Sequence, residues 1–139
     1  MQEIKQFFSD NDLYARHSGI ELLEVTPGGA RTAMKIERHH LNGAKTVHGG
    51  AIFTLADFAF AVASNSHGTL AMGINTSVSF VKAATTGTLY AEAKEESFSP
   101  KLATYTVHVT DDNGDLIAIF VGTVYRKNVS IHSMAIYSQ

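Results

Sequence analysis

One aspartate stands inside an almost wholly apolar run. Residues 51 to 63 read AIFTLADFAFAVA, and only Thr54 and Asp57 among them are polar. An ionised carboxylate in such surroundings is costly unless something pairs with it or solvates it. A buried aspartate on its own is more often structural than catalytic. His48-Gly49-Gly50 comes just before the run and changes that weighting. At a helix N-terminus the first backbone N–H groups lack intrahelical partners, and glycine lets a ligand approach them. The helix dipole also favours negative charge there. A carboxylate plus such donors suits attack on a thioester carbonyl, with the oxyanion held by backbone N–H groups. The tripeptide alone would equally serve as a flexible helix entry.

These residues need a helix to position them. Ala, Leu and Phe dominate residues 51–63, and β-branched residues are few, so the segment is predicted helical. At 100° per residue, Thr54, Asp57, Ala61, Ser64 and Asn65 share one arc of about 100°. Ile52, Phe53, Leu55, Phe58, Phe60 and Val62 lie outside it and should be core. His48 and Asp57 are nine residues apart, about 13 Å and half a turn along one helix. They cannot meet on one reacting atom within a single chain. Two antiparallel copies about a twofold axis would bring Asp57 of one beside the Gly-Gly terminus of the other.

Around this helix the pattern predicts a short amphipathic helix over residues 3–15 and a hairpin from Ile20–Val25 and Ala30–Ile36, turning at Pro27-Gly28-Gly29. Residues 37–47 read as loop. Strands are expected at Ile74–Val81, Thr88–Phe98, Leu102–Thr110 and Leu116–Tyr125, the last three as hairpins. One buried helix followed by an antiparallel meander is an α+β layout.

The bulk numbers are consistent with one soluble domain over residues 1–139, with a core near 11–126 and a tail, 127–139, of open role. The chain has 139 residues, 45% hydrophobic, and a formal charge of −2. That balance argues against a nucleic-acid binder. There is no cysteine, hence no disulfide, thiolate nucleophile or cysteine-ligated zinc. No apolar run of about 18 residues or basic-then-apolar start is present, so neither membrane nor export is expected, and the cytoplasm is. The seven histidines include adjacent His39-His40, but none pairs with another at metal-binding helical spacing, and no metal is expected. Ser64, Ser66 and His67 hint at a nucleophilic pair, yet no elbow motif frames a serine.

The string LNGAKTVHGGAIFTLADFAFAVASN resembles the central motif of the PaaI-like branch of hotdog thioesterases. The likeness extends from about Asn11 to Tyr125. It implies a long central helix wrapped by an antiparallel sheet, assembly into dimers or tetramers, and sites at the subunit interface. By position it implies that Asp57 is general base or nucleophile on an aryl- or acyl-CoA. Gly50, with Gly49 less favoured, would give the backbone donor. His48 would shape the oxyanion region, and Asn42 would orient thioester or water. Asn11, Gly49, Thr54 and Lys82 are expected near the substrate, with Lys82, Arg126 and Lys127 as candidates for the CoA phosphates. No cofactor is expected, coenzyme A arriving as part of the substrate. The sequence departs from relatives at Lys82-Ala83-Ala84, where an Arg-Pro or Lys-Pro pair is common, and at Gly73, where some carry a hydroxyl. The alternatives on this fold are a dehydratase or hydratase of acyl thioesters and a non-catalytic acyl-CoA-binding module. Phe53, Phe58, Phe60, Phe80 and Phe98 are either core or acyl-pocket lining, and the acyl group is not specified.

Overall fold

The computed structural model describes residues 1–133. The expected first helix is two helices, α1 (Gln2–Asn11) and α2 (Leu13–His17). They break at Asp12, whose carboxylate accepts from the Ala15 N–H (3.1 Å) and so caps α2. Strands β1 (Ile20–Thr26) and β2 (Gly29–Lys35) form the expected hairpin. The loop that follows contains one 3₁₀ turn, Arg38–His40, before α3 (Gly49–Asn65). Then come β3 (Thr69–Phe80), β4 (Thr88–Phe98), β5 (Leu102–Thr110) and β6 (Leu116–Ser130). Residues Lys127–Ser130 of the expected tail therefore continue β6, and Ile131 is buried. Residues 134–139 lie outside the described part.

The six strands form one antiparallel sheet in the order β1-β2-β4-β5-β6-β3. This is the α+β hotdog arrangement expected from the sequence, with one correction. The strands after α3 are not a simple meander, because β3 pairs with β6 at the far edge. Residues 81–87 instead cross the end of the sheet to reach β4. The crossing is held by Val81 and Lys82 N–H groups on the Ile117 carbonyl, by Val47 N–H on Ala84, and by Ile36 N–H on Gly87.

Helix α3 lies against one face of the sheet, packed on β2, β3, β4 and β5. Leu55, Ala56, Ala59, Val62 and Ala63 are fully buried, and the Thr32 hydroxyl of β2 donates to the Leu55 carbonyl (3.1 Å). Phe60 seats its ring over two strand glycines. A Cβ at Gly122 would lie 2.7 Å from that ring, and one at Gly73 would lie 3.1 Å away. A side chain at position 73 would thus need the buried Phe60 ring to give by a few tenths of an ångström, whereas one at 122 would need a larger shift. Phe53 packs on Phe120 (5.4 Å between centroids) and Phe58 is buried, so these two are core.

Candidate active site

The exposed seam of α3 runs Gly50, Thr54, Asp57, Ala61, at alternating spacings of four and three, with buried Ser64 continuing it. Gly50 and Thr54 face a small cleft of about 260 Å³, shared with Tyr14, His17, His39 and His48. Asp57 and Ala61 line a larger one of about 610 Å³, closed by Phe60, by Leu70 and Met72 of β3, and by Phe7 of α1. That volume is within the range of small-molecule sites. No Lys or Arg lines it, and Asp57 is its single charge.

Asp57 is half-buried and makes no hydrogen bond or ion pair among the described residues. Burial pushes its carboxyl above the usual aspartate range, and the like charge of Asp12 pushes the same way. A carboxylate left in this state is a stronger base than one in water.

The helix N-terminus is organised by His48. Its Nδ1 accepts from the Gly50 N–H at 2.8 Å, which leaves the proton of a neutral ring on Nε2. Its carbonyl accepts from Ala51 and Ile52, and its own N–H is on the His40 carbonyl (2.8 Å). The Gly50 N–H, the expected oxyanion donor, is therefore already engaged. The Gly49 N–H has no hydrogen-bond acceptor among the described residues. A Cβ at Gly49 would stand 3.1 Å from the Phe80 ring.

Other expected residues take different places. The Asn42 carboxamide accepts from the Ala44 and Thr46 N–H groups (2.9 and 3.1 Å) and donates to the Thr46 hydroxyl (3.0 Å). It builds the loop in which Lys45 adopts φ 64°, and it lines neither cleft. Asn11 donates to the Phe7 carbonyl and closes α1, also away from both clefts. Its neighbour Asp12 is the residue of that pair that acts on Asp57. Thr54 donates to the Gly50 carbonyl (2.8 Å), steadying the helix start. Lys82 is held by Asp115 (2.5 Å) and Asp111, and that hydrogen bond to Asp115 raises its pKa. Arg126 sits at the opposite end of the β3–β6 pair, over the Phe98 ring (4.1 Å) and bonded to the Ser99 and Pro100 carbonyls.

Ser64 and Ser66 donate to helix carbonyls, and His67 contacts Glu95 (2.7 Å) rather than either serine. No three His, Asp or Glu side chains among the described residues are grouped to hold a metal, and no described helix is long and apolar enough to cross a membrane.

The sequence profile of the thioesterase superfamily matches residues 44–118, more than half of the chain. A candidate esterase of Archaeoglobus fulgidus is 44% identical over 129 residues, spanning 92% of this chain and 84% of that protein. The acyl-coenzyme A thioesterase PaaI of Escherichia coli is 31% identical over 84% of each chain. The solved structure of E. coli PaaI, from the phenylacetic acid degradation operon, superposes with a TM-score of 0.90 over 93% of this chain and 94% of its own, at 28% identity. A mutant of the phenylacetic acid degradation protein PaaI of Thermus thermophilus superposes at 0.80, with 36% identity, over 84% of this chain and all of its own. The matched profile contains His48, Gly49, Gly50, Asp57 and all of α3. The chain thus belongs to the thioesterase superfamily, in its PaaI-like hotdog branch, and is a thioester hydrolase.

Proposed function

We propose that this protein hydrolyses acyl-CoA thioesters to the free acid and coenzyme A, in a site that two copies of the chain complete. The observation that carries this reading is the unpartnered carboxylate of Asp57 in the large cleft, on the same helix as the unoccupied Gly49 N–H. The two are eight residues apart, about 12 Å along the helix, too far to act on one carbonyl. A twofold axis beside the α3 seam would set Asp57 of one copy against the Gly49 end of the other.

The sheet supports such a pairing. β3 is an edge strand, and it exposes Met72, Ile74 and Phe80. An apolar, unpaired edge is a liability that proteins normally cover. Pairing β3 with its own copy would cover it and place the two α3 seams side by side. A tetramer needs a second face, and the outer side of the sheet offers Leu102, Val121 and Tyr125, all well exposed. Because Lys82 and Arg126 lie at opposite ends of β3–β6, basic residues of both copies would have to meet a single CoA. Of the three candidates, Lys127 is the one with no ionic or hydrogen-bonded partner among the described residues, and Lys82 must first leave two carboxylates.

In this reading the thioester oxygen lies on the Gly49 N–H at the positive end of α3. His48 fixes that terminus by capping Gly50. Asp57 of the other copy either takes a proton from the attacking water, the tetrahedral adduct then collapsing with cleavage of the C–S bond, or attacks the carbonyl carbon itself, expelling the thiolate and giving a mixed anhydride that water resolves. In both, CoA leaves as a thiolate that takes up the proton released by the water. A dehydratase would instead require an imidazole and a carboxylate converging on one substrate. In the two-copy site the imidazole nearest Asp57 is that of His48, and its Nδ1 is committed to the Gly50 N–H, so that nitrogen holds the helix terminus. Release of free thiol, which dehydration does not give, separates the two reactions. Pure binding would leave the cost of an unpaired half-buried carboxylate without a return. Thiol release from a panel of acyl-CoAs tests the assignment. Turnover by the wild type, lost in Asp57→Asn, is expected; an equally active Asp57→Asn would refute it.

A further inference from the structure

The cleft that holds Asp57 has walls of two origins. Its inner wall, from α3 and β3, lies within the residues shared across the superfamily. Its outer wall is Phe7 and Phe8 of α1 together with Ile131 beyond β6, all outside that shared span. α1 is anchored through Ile4, which is 5% exposed, and through Phe8, edge-on to the Phe58 ring at 6.4 Å. Ile131 is buried, and His132 Nδ1 stands 3.5 Å from Glu3, joining the end of β6 to the first turn of α1.

Phe7 differs from its neighbour. Phe8 packs against the hydrophobic core; Phe7 is not among the residues that do. Among the described residues its one close aromatic contact is the Phe8 ring, edge-on at 5.2 Å, and both rings line the cleft. An aromatic ring held at this position lies outside the core, yet it lines the same cleft as Asp57.

We propose that Phe7, backed by Phe8 and Ile131, is a substrate-contacting specificity residue that limits the size of the acyl group accepted next to Asp57. This rests on the thioesterase reading above. The occupant is the acyl group and not the CoA moiety, because Phe7, Phe60, Leu70, Met72 and Ile131 make the wall apolar and no basic side chain is present for a phosphate. Asp57 and Ser64, seven residues apart, mark a run of about 10 Å along the α3 wall of the chamber.

The test is kcat/KM over a series of saturated acyl-CoAs, from acetyl to palmitoyl, for the wild type, Phe7→Ala and Phe7→Trp. A single methylene in an apolar pocket changes discrimination by about 10-fold or more. Phe7→Ala should therefore raise the ratio of long-chain to short-chain kcat/KM by at least about 10-fold, and Phe7→Trp should lower it. Phe7→Leu guards against loss of α1 and should fall between Ala and the wild type. A chain-length profile parallel to the wild type in all three variants overturns the proposal. So does a uniform loss accompanied by a change of oligomeric state, which would make Phe7 a subunit contact. Failure of the underlying reading is read separately, from an Asp57→Asn protein that keeps its activity on every substrate.

Discussion

Glu95 and Asp57 are both carboxylates partly withdrawn from water, and the fold treats them in opposite ways. Glu95, on β4, accepts from the Tyr105 hydroxyl at 2.6 Å and lies 2.7 Å from His67 Nε2. The tyrosine is fully buried, and burial together with the Glu95 hydrogen bond pushes its hydroxyl pKa far above the usual value. Gly28, at φ 76°, packs against the same side chain, so a Cβ there would meet Glu95 at 3.0 Å. These contacts tie the β1–β2 turn, the end of α3 and the β4–β5 pair together. Asp57, on α3, has none of this among the described residues. The carboxylate that holds the structure is given donors, whereas the one that the proposed mechanism uses is left bare and facing a cleft.

The sharpest way to break that contrast is to neutralise each acid. Asp57→Asn should lower kcat by about 10²-fold or more, the scale of losing a general base. Its stability should move the other way. The folded state raises the Asp57 pKa, so the group favours folding below the unfolded value and loses that contribution as pH rises through the folded one. Near neutral pH the neutral amide should therefore match or exceed the wild type in Tm, and the difference should vanish in acid.

Glu95→Ala should do the reverse. It leaves the buried Tyr105 hydroxyl without its acceptor, a loss of about 1–3 kcal/mol in denaturant unfolding. Thiol release by the folded fraction should persist. Glu95→Gln keeps an acceptor and should lose less.

A smaller effect separates the two causes acting on Asp57. The proposed mechanism needs the ionised form, so kcat/KM should fall as pH drops through a pKa above the ordinary aspartate range. Asp12→Asn removes the like charge while keeping an N-cap for α2. The acid limb should then move to lower pH, but only part of the way, because burial is the larger cause. An unmoved limb would place the titrating group elsewhere.

Much of this was legible in the sequence because local chemistry agreed with the global answer. Ser99-Pro100 and Asp111-Asp112-Asn113-Gly114 punctuate alternating segments, and β4, β5 and β6 follow. Asp57 stood out because nothing else in its segment, Thr54 apart, is polar. What escaped is set by distance along the chain. Residues 69–80 look like any strand, and nothing local says that they pair with β6 instead of β4. An imidazole as the α3 cap is unusual beside Ser, Thr, Asp or Asn, so the engagement of the Gly50 N–H was hidden, and with it the availability of Gly49. Asn42 reads as a polar loop residue, but whether its amide serves a ligand or its own loop depends on backbone conformation at 44–46. Phe7 and Phe8 are indistinguishable in sequence and diverge only once Phe58 and the core take one of them.

The most direct test of the account is a complementation between two inactive proteins. Gly49→Pro deletes the free N–H at the first position of α3, where His48 already has the extended backbone that proline demands of its predecessor (φ −60°, ψ 136°) and where the new Cβ, 3.1 Å from the tip of the exposed Phe80 ring, needs that ring to give by a few tenths of an ångström. Alone it should lose about 10²–10³-fold in kcat, as for loss of an oxyanion donor. Co-expressed with Asp57→Asn, it should form mixed dimers in which one site carries both changes and the other neither, and thiol release should recover well above either parent. If mixed oligomers form and are as inactive as their parents, Asp57 and Gly49 do not act across two copies, and the proposed site is wrong.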